Sequence, residues 1–232
     1  MKFTAIAFDL DGTLYPNYRL YVRLIPFLLK KQRLLRAMDK ARTRLRNSGG
    51  NYPAESGARQ DRGTDFYRRQ ARFMGEILGE NEEKVLEETE RLIYRGWEGL
   101  FKTIKLFPHA REILDTFRGE GLTMGLLSDF PPKTKLKYLG IDGYWDAVMC
   151  SEETGYLKPD RTPFLELAEK MKTLPGRILY VGNSVSYDVA GANAAGMKTA
   201  LIWPTWRKRR GLNQLADFVF NDYRQLRDYV LG

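Results

Sequence analysis

The sequence predicts an α/β fold: a Rossmann-like parallel sheet core interrupted early by a helical insertion. Three observations carry this expectation. Short apolar runs alternate with helical stretches from Phe107 onward, one apolar run at Phe3–Phe8 stands well ahead of the rest, and the stretch from Leu14 to Leu106 between them holds no convincing strand. Strands that alternate with helices assemble as parallel βαβ units around a shared sheet.

Taken in order, FTAIAF (Phe3–Phe8) is a short strand that runs into a loop at Asp-Leu-Asp-Gly-Thr. After Phe107 the spacing predicts a helix over Ala110–Glu120, a buried strand over Leu122–Leu127, a short helix over Lys133–Leu139 and a short strand over Ala147–Cys150. There follow a helix over Pro163–Met171 with proline near its start, a strand over Ile178–Val181, a helix over Ser186–Ala195 and a strand over Thr199–Ile202. A last helix covers Asp222–Val230. In the early segment, Leu24, Leu28, Leu35, Met38 and Leu45 recur roughly as one helical face, and Phe66–Leu78 and Val85–Trp97 show the same period. Asn47–Gly63 is polar and Gly-rich and reads as a mobile loop. The expected division is therefore a catalytic core of residues 1–14 and 107–232, with residues 15–106 as a helical unit over the end of the first strand.

The bulk properties restrict the function classes. With 232 residues and 43% hydrophobic content the chain builds an ordinary core. It has no uninterrupted apolar run of 18 residues, so no transmembrane helix is expected. Asp9 interrupts the N-terminus where a signal peptide needs apolar residues. The single cysteine, Cys150, excludes an internal disulfide and fits a reducing, cytoplasmic location. The net charge is +9, and residues 15–105 carry 20 Lys/Arg against 12 Asp/Glu, so most of the excess lies in the insertion. Such a surface attracts anions in general: phosphorylated metabolites, nucleic acid or acidic lipid.

Ligands bind at the C-terminal ends of strands in an open parallel sheet. Four polar clusters fall at those ends: Asp9/Asp11, Ser128/Asp129, Lys158 and Asn183/Asp188. Residues two apart on extended chain point the same way, so Asp9 and Asp11 are neighbours. Paired carboxylates drive their pKa values apart, which suits a nucleophile beside a general acid. Gly12 and Thr13 let backbone N–H groups turn toward an anion. Ser128 places a hydroxyl where it can donate to a phosphate oxygen, and Ser128–Asp129 equally suits a helix N-cap. Lys158, in GYLKPD, can offset negative charge. Asn183 and Asp188 flank a strand-to-helix turn and offer oxygen ligands suited to Mg²⁺; helix capping by Asn183 or Ser184 is the other reading. His109 has no assigned catalytic role, and Cys150 reads as core.

The succession FDLDGTLY, LLSD, GYLKPD and VGNSxxxDxxGAxxAG resembles the haloacid dehalogenase-like hydrolase superfamily. The resemblance covers residues 1–14 and about 105–205, and the insertion resembles that family's helical cap. It implies a Mg²⁺-dependent phosphohydrolase acting on a small phosphomonoester through an aspartyl-phosphate. Asp9 then corresponds to the nucleophile and a Mg²⁺ ligand, and Asp11 to the general acid/base whose carbonyl also meets the metal. Ser128, with Thr13 and Asp129 beside it, corresponds to the phosphate-binding group, and Lys158 to the lysine that steadies nucleophile and phosphate. Asn183 stands where many members carry an acid, and Asp188 matches the second acid of that motif, so both are candidate metal residues.

Other readings remain open at this stage. A carbon–halogen hydrolase or a phosphomutase uses the same scaffold; Asp11 speaks against the former, since those enzymes lack an acid two residues after the nucleophile, while Tyr187 before Asp188 and Asn183 in place of an acid speak for it. A binding protein is the alternative of another class. Tyr18–Arg46 holds ten Lys/Arg and one Asp among apolar residues, as a basic amphipathic helix for a membrane surface or nucleic acid would. A cap helix with a solvated charged face is the plainer account. Its basic residues are expected to line part of the entrance to the site. A second basic cluster, Arg207–Arg210, follows two tryptophans.

Overall fold

The computed structural model describes residues 2–48, 62–203 and 215–232. Among these residues the strands form one parallel sheet, ordered β3-β2-β1-β4-β5-β6. They are β1 (Ala5–Phe8), β2 (Thr123–Ser128), β3 (Ala147–Cys150), β4 (Ile178–Gly182), β5 (Lys198–Ile202) and β6 (Phe218–Phe220). In β1, Ile6 and Phe8 enter the hydrophobic cluster on one face, and Ala5 and Ala7 enter the cluster on the other. Burial on both faces is why this strand reads as a continuous apolar run with no alternation. The order reverses next to β1, which pairs with both β2 and β4. A crevice therefore opens at the C-terminal ends of β1 and β4.

The early segment is helical: α1 (Asn17–Lys30), α2 (Gln32–Asn47), α3 (Arg62–Leu78) and α4 (Glu82–Thr89). A wider π-type turn, Glu90–Tyr94, continues α4, and a 3₁₀ turn follows at Glu98–Thr103. The helical face expected from Leu24 to Leu45 is split between two helices, because the chain leaves helical geometry at Lys31, where φ is −125°. Leu24 packs into the sheet's cluster with Phe101 and Ile104. Met38 instead joins Leu34, Phe73, Met74, Val85 and Ile93 in a separate cluster. The side chain of Leu28 lies outside the described residues. Most of the expected polar loop, 49–61, does too, while Asn47 closes α2 and Gly63 belongs to α3.

The remaining helices flank the sheet: α5 (Ala110–Gly119), α6 (Lys133–Leu139), α7 (Arg161–Lys170), α8 (Ala190–Ala194) and α9 (Tyr223–Leu231). The start of α7 is set by Asp160, whose side chain accepts from Thr162 N at 2.8 Å. The helix expected over Ser186–Ala195 begins as a π-type turn, Val185–Val189, before α8. Strand β6 was not foreseen. Three residues of FVF give too short a pattern to identify alone; pairing with β5 and the stacking of Phe218 on Tyr229, centroids 4.1 Å apart, create the strand. Among the described residues no helix is long and apolar enough to cross a membrane. The cluster Arg207–Arg210 lies outside the described residues.

Candidate active site

Strand β1 delivers Asp9 to the crevice, its N–H donating to Val181 O at 2.9 Å. The next turn depends on Gly12, whose φ of +89° belongs to the left-handed region. A Cβ there would collide with the side chain of Asn183, so the turn also needs glycine's lack of bulk. Close approach recurs at Gly182, where a Cβ would strike Asp188.

Lys158, on the loop after β3, joins three elements. Its Nζ lies 2.8 Å from Asp9 Oδ1 and 2.9 Å from Asp188 Oδ1. The other oxygen of Asp9 accepts from Thr13 Oγ1 at 2.7 Å. Burial pushes the Asp9 carboxyl up to about 7; Lys158 opposes this, and Asp188 and Asp11 add to it. Burial alone would lower Lys158, but the Asp188 and Asp9 carboxylates outweigh it and hold the ammonium above its ordinary range.

Asp11 faces the same space in a different setting. Its carboxylate accepts from Lys135 Nζ at 2.9 and 2.7 Å, from Ser128 Oγ at 3.3 Å, and from the Tyr15 hydroxyl. Asn183 Nδ2 sits 3.1 Å from the Asp11 carbonyl oxygen. Asp188 Oδ2 accepts from the backbone N–H groups of Asn183 and Ser184, at 3.1 and 3.0 Å. Both oxygens of Asp188 are thus taken, one by Lys158 and one by the turn after β4. Asp129 lines the same cavity, and its oxygens accept from Ser151 Oγ at 2.5 Å, Lys158 N at 3.2 Å and Arg46 Nη2 at 2.9 Å. Burial would raise Asp129, but Arg42, Lys158 and Arg46 prevail and hold it below the usual carboxylate value.

The residues around Asp9 suit a hard divalent cation of the Mg²⁺ kind. Among the described residues no three His, Cys, Asp or Glu side chains gather as a metal site. The fitting donors are instead the Asp9 carboxylate, the Asp11 carbonyl and the Asn183 amide, which presents Oδ1 to the same point when turned end for end.

Two residues that sequence reasoning missed complete the geometry. Lys135 lies one turn into α6; a lysine just past the Ser128–Asp129 strand end was the available signal. Arg46 lies near the end of α2, and its Nε donates to Lys158 O at 2.9 Å while its guanidinium stacks 4.5 Å from the Tyr187 ring centre. A sequence separation of 112 residues gave no hint of that contact. Next to it, buried Arg42 pairs with Glu152 and donates to Asp129 O at 2.9 Å. Other basic residues of the segment are also engaged within the chain, Lys31 with Glu88 at 2.7 Å and Arg44 with Glu76 at 2.5 Å, which weakens the case for a free basic face.

Asp9 and Asp11 open onto a cavity of about 370 Å³. Helix α1 and the turns after α4 form its outer wall through Leu20, Tyr21, Leu24, Ile93, Trp97 and Phe101. Among the described residues none of the insertion's lysines or arginines lines the cavity itself, while Arg46 stands beside it against Asp129 and Tyr187.

Known proteins resemble this chain in sequence and in fold. A phosphoglycolate phosphatase of Haemophilus influenzae is 27% identical over 231 residues, covering 97% of both chains. A ribulose-1,5-bisphosphate 5-phosphatase of Halopiger xanaduensis is 28% identical over 144 residues; that match spans 58% of this chain and only 60% of the relative. The crystal structure of a 2-haloacid dehalogenase from Pseudomonas syringae superposes with a TM-score of 0.64 at 20% identity, covering 98% of each chain, a likeness of fold. A family model described as haloacid dehalogenase-like hydrolase matches residues 3–196, a span that runs through all four polar clusters. The chain belongs to the haloacid dehalogenase-like hydrolases.

Proposed function

We propose that the protein is a Mg²⁺-dependent phosphohydrolase that cleaves small phosphomonoesters through a phosphorylated Asp9. The observation that carries this reading is the second carboxylate, Asp11, facing the same cavity as buried Asp9. A halide leaves without a proton, whereas an alkoxide leaving a phosphoryl group needs one. A general acid beside the nucleophile is therefore chemistry for an ester and is superfluous for expelling halide. Both relatives compared above are named as phosphatases, which supports the same choice.

In this reading residues 15–106 act as a helical cap over a core of residues 1–14 and 107–232. An Asp9 oxygen attacks phosphorus as the ester P–O bond breaks, and Asp11 delivers its proton to the departing oxygen. Asp11 then takes a proton from water as the water oxygen attacks phosphorus, freeing Asp9 and releasing phosphate. Lys158 balances charge on the nucleophile and the phosphoryl oxygens. Ser128 and the Gly12 N–H hold those oxygens, and Thr13 Oγ1 orients Asp9. Asp188 and Asp129 position Lys158, by its ammonium and by its backbone. Asp9, the Asp11 carbonyl and Asn183 would hold Mg²⁺, which when bound supplies further charge balance for the phosphoryl group.

The test is turnover of 4-nitrophenyl phosphate with Mg²⁺, after EDTA, and in Asp9→Asn. EDTA should abolish activity reversibly. Asp9→Asn should be inactive, and borohydride trapping of the working enzyme should place an acyl phosphate on Asp9. Undiminished turnover without metal, or in Asp9→Asn, would sink the proposal.

A further inference from the structure

The outer part of the cavity has a chemistry that the phosphoryl-transfer machinery does not explain. Its wall is apolar and aromatic, with Leu20, Leu24, Ile93 and Phe101 on one side and Phe130 and Pro131 on the other. The charged residues lining the cavity are five acids, Asp9, Asp11, Glu98, Asp129 and Asp188, and two lysines, Lys135 and Lys158. Both lysines are already paired. Lys158 bridges Asp9 and Asp188, and Lys135 lies against both oxygens of Asp11. Among the described residues no arginine lines this cavity, so no lining cation stands apart from the reacting centre to receive a second anionic group of a substrate. A carboxylate placed beyond the phosphoryl position would lose hydration, find no cation there and meet the like charge of Glu98. At about 370 Å³ the cavity lies within the usual range for small-molecule sites, roughly 300–1,000 Å³, and offers more room than a phosphoryl group fills.

Resting on the phosphohydrolase reading above, we propose that the cavity selects phosphomonoesters whose leaving group is a neutral, apolar alcohol. The alkyl or aryl part lies against α1 and the Trp97–Phe101 stretch, and small carboxylated alcohols are selected against. This separates the chain from the relative named for phosphoglycolate, a substrate whose leaving group bears a carboxylate. Selection arises from burial of apolar surface on binding and from the unpartnered charge that a carboxylate would introduce.

The experiment compares kcat/KM for ethyl, butyl and hexyl phosphate and for 6-phosphooxyhexanoate, with Mg²⁺ present. The leaving alcohols are of similar basicity, so differences report binding in the cavity. Specificity should rise about fourfold per added methylene, the factor equivalent to ~0.8 kcal/mol for each buried CH₂. The terminal carboxylate should lower kcat/KM at least tenfold relative to hexyl phosphate. Glu98 is part-buried in the cavity wall and outside the reacting groups; Glu98→Lys should narrow that gap, read as the ratio of kcat/KM for the two esters in the same enzyme, about tenfold. Equal rates along the alkyl series, or preference for the carboxylated ester, would overturn the proposal while leaving the phosphohydrolase reading intact. No turnover of any ester, 4-nitrophenyl phosphate included, would overturn both.

Discussion

Arg46 offers the sharpest test of how the helical segment serves the site. Its guanidinium holds Asp129 Oδ2 and Lys158 O, each at 2.9 Å, and Asp129 in turn holds Lys158 N at 3.2 Å. The backbone that carries Lys158 is thus gripped at its N–H and at its carbonyl, while its ammonium bridges Asp9 and Asp188. Arg46→Met keeps much of the apolar stem and removes both bonds together with the stacking on Tyr187. Hydrogen bonds involving charged groups contribute about 1.5–3 kcal/mol each. If one bond's worth is lost from the transition state through displacement of Lys158, kcat falls about 10- to 150-fold at 1.36 kcal/mol per decade. KM should change less, since Arg46 does not line the cavity. Arg46→Lys should fall between the two, because an ammonium cannot reproduce the two-pronged contact. The assay is steady-state kinetics at saturating Mg²⁺, with urea unfolding run in parallel. A normal kcat in Arg46→Met, with only reduced stability, would refute the positioning role and leave Arg46 a plain tie between helix and loop.

Further outcomes follow from other contacts. Asn183→Asp should lower the Mg²⁺ concentration for half-maximal activity by adding a carboxylate to the donor set, whereas Asp188→Asn should reduce kcat with little change in that concentration, because both Asp188 oxygens hold protein groups; a magnesium titration of each variant checks this. Phe164 is fully buried, with its ring centre 4.9 Å from that of Tyr180. Phe164→Ala should cost about 3–5 kcal/mol in urea unfolding. Asp129 is held below its ordinary value of 3.8, so the stability it contributes is complete above that value and is lost as pH falls through its folded-state pKa. Asp129→Asn should therefore be destabilised most near neutrality, with the difference from the parent shrinking below about pH 4. Unfolding curves across that range would show a constant difference if the reasoning were wrong.

The sequence by itself determined the sheet and the places where polar groups leave it. Strands buried on both faces must be apolar throughout, so Phe3–Phe8, Leu122–Leu127 and Ile178–Val181 declared themselves, and the residues following them declared Asp9, Asp11, Ser128 and Asn183. Local pattern carried this because each signal lies within a few residues. What needed contacts distant in sequence was hidden. Strand β6 exists through pairing with β5. The break at Lys31 sends Leu24 to one hydrophobic cluster and Met38 to another. Asp188 finds Lys158 through the packing of the loops after β3 and β4, and Asp129 finds Arg46 only when the helical segment settles on the loops after β2 and β3. Composition showed a basic insertion, yet only folding decided that Arg42 and Arg46 turn inward to buried carboxylates and that the cavity receives the apolar side of α1. Charge counts carry no direction; packing supplies it, because burying Leu20 and Leu24 against the sheet fixes which face of the helix meets the site.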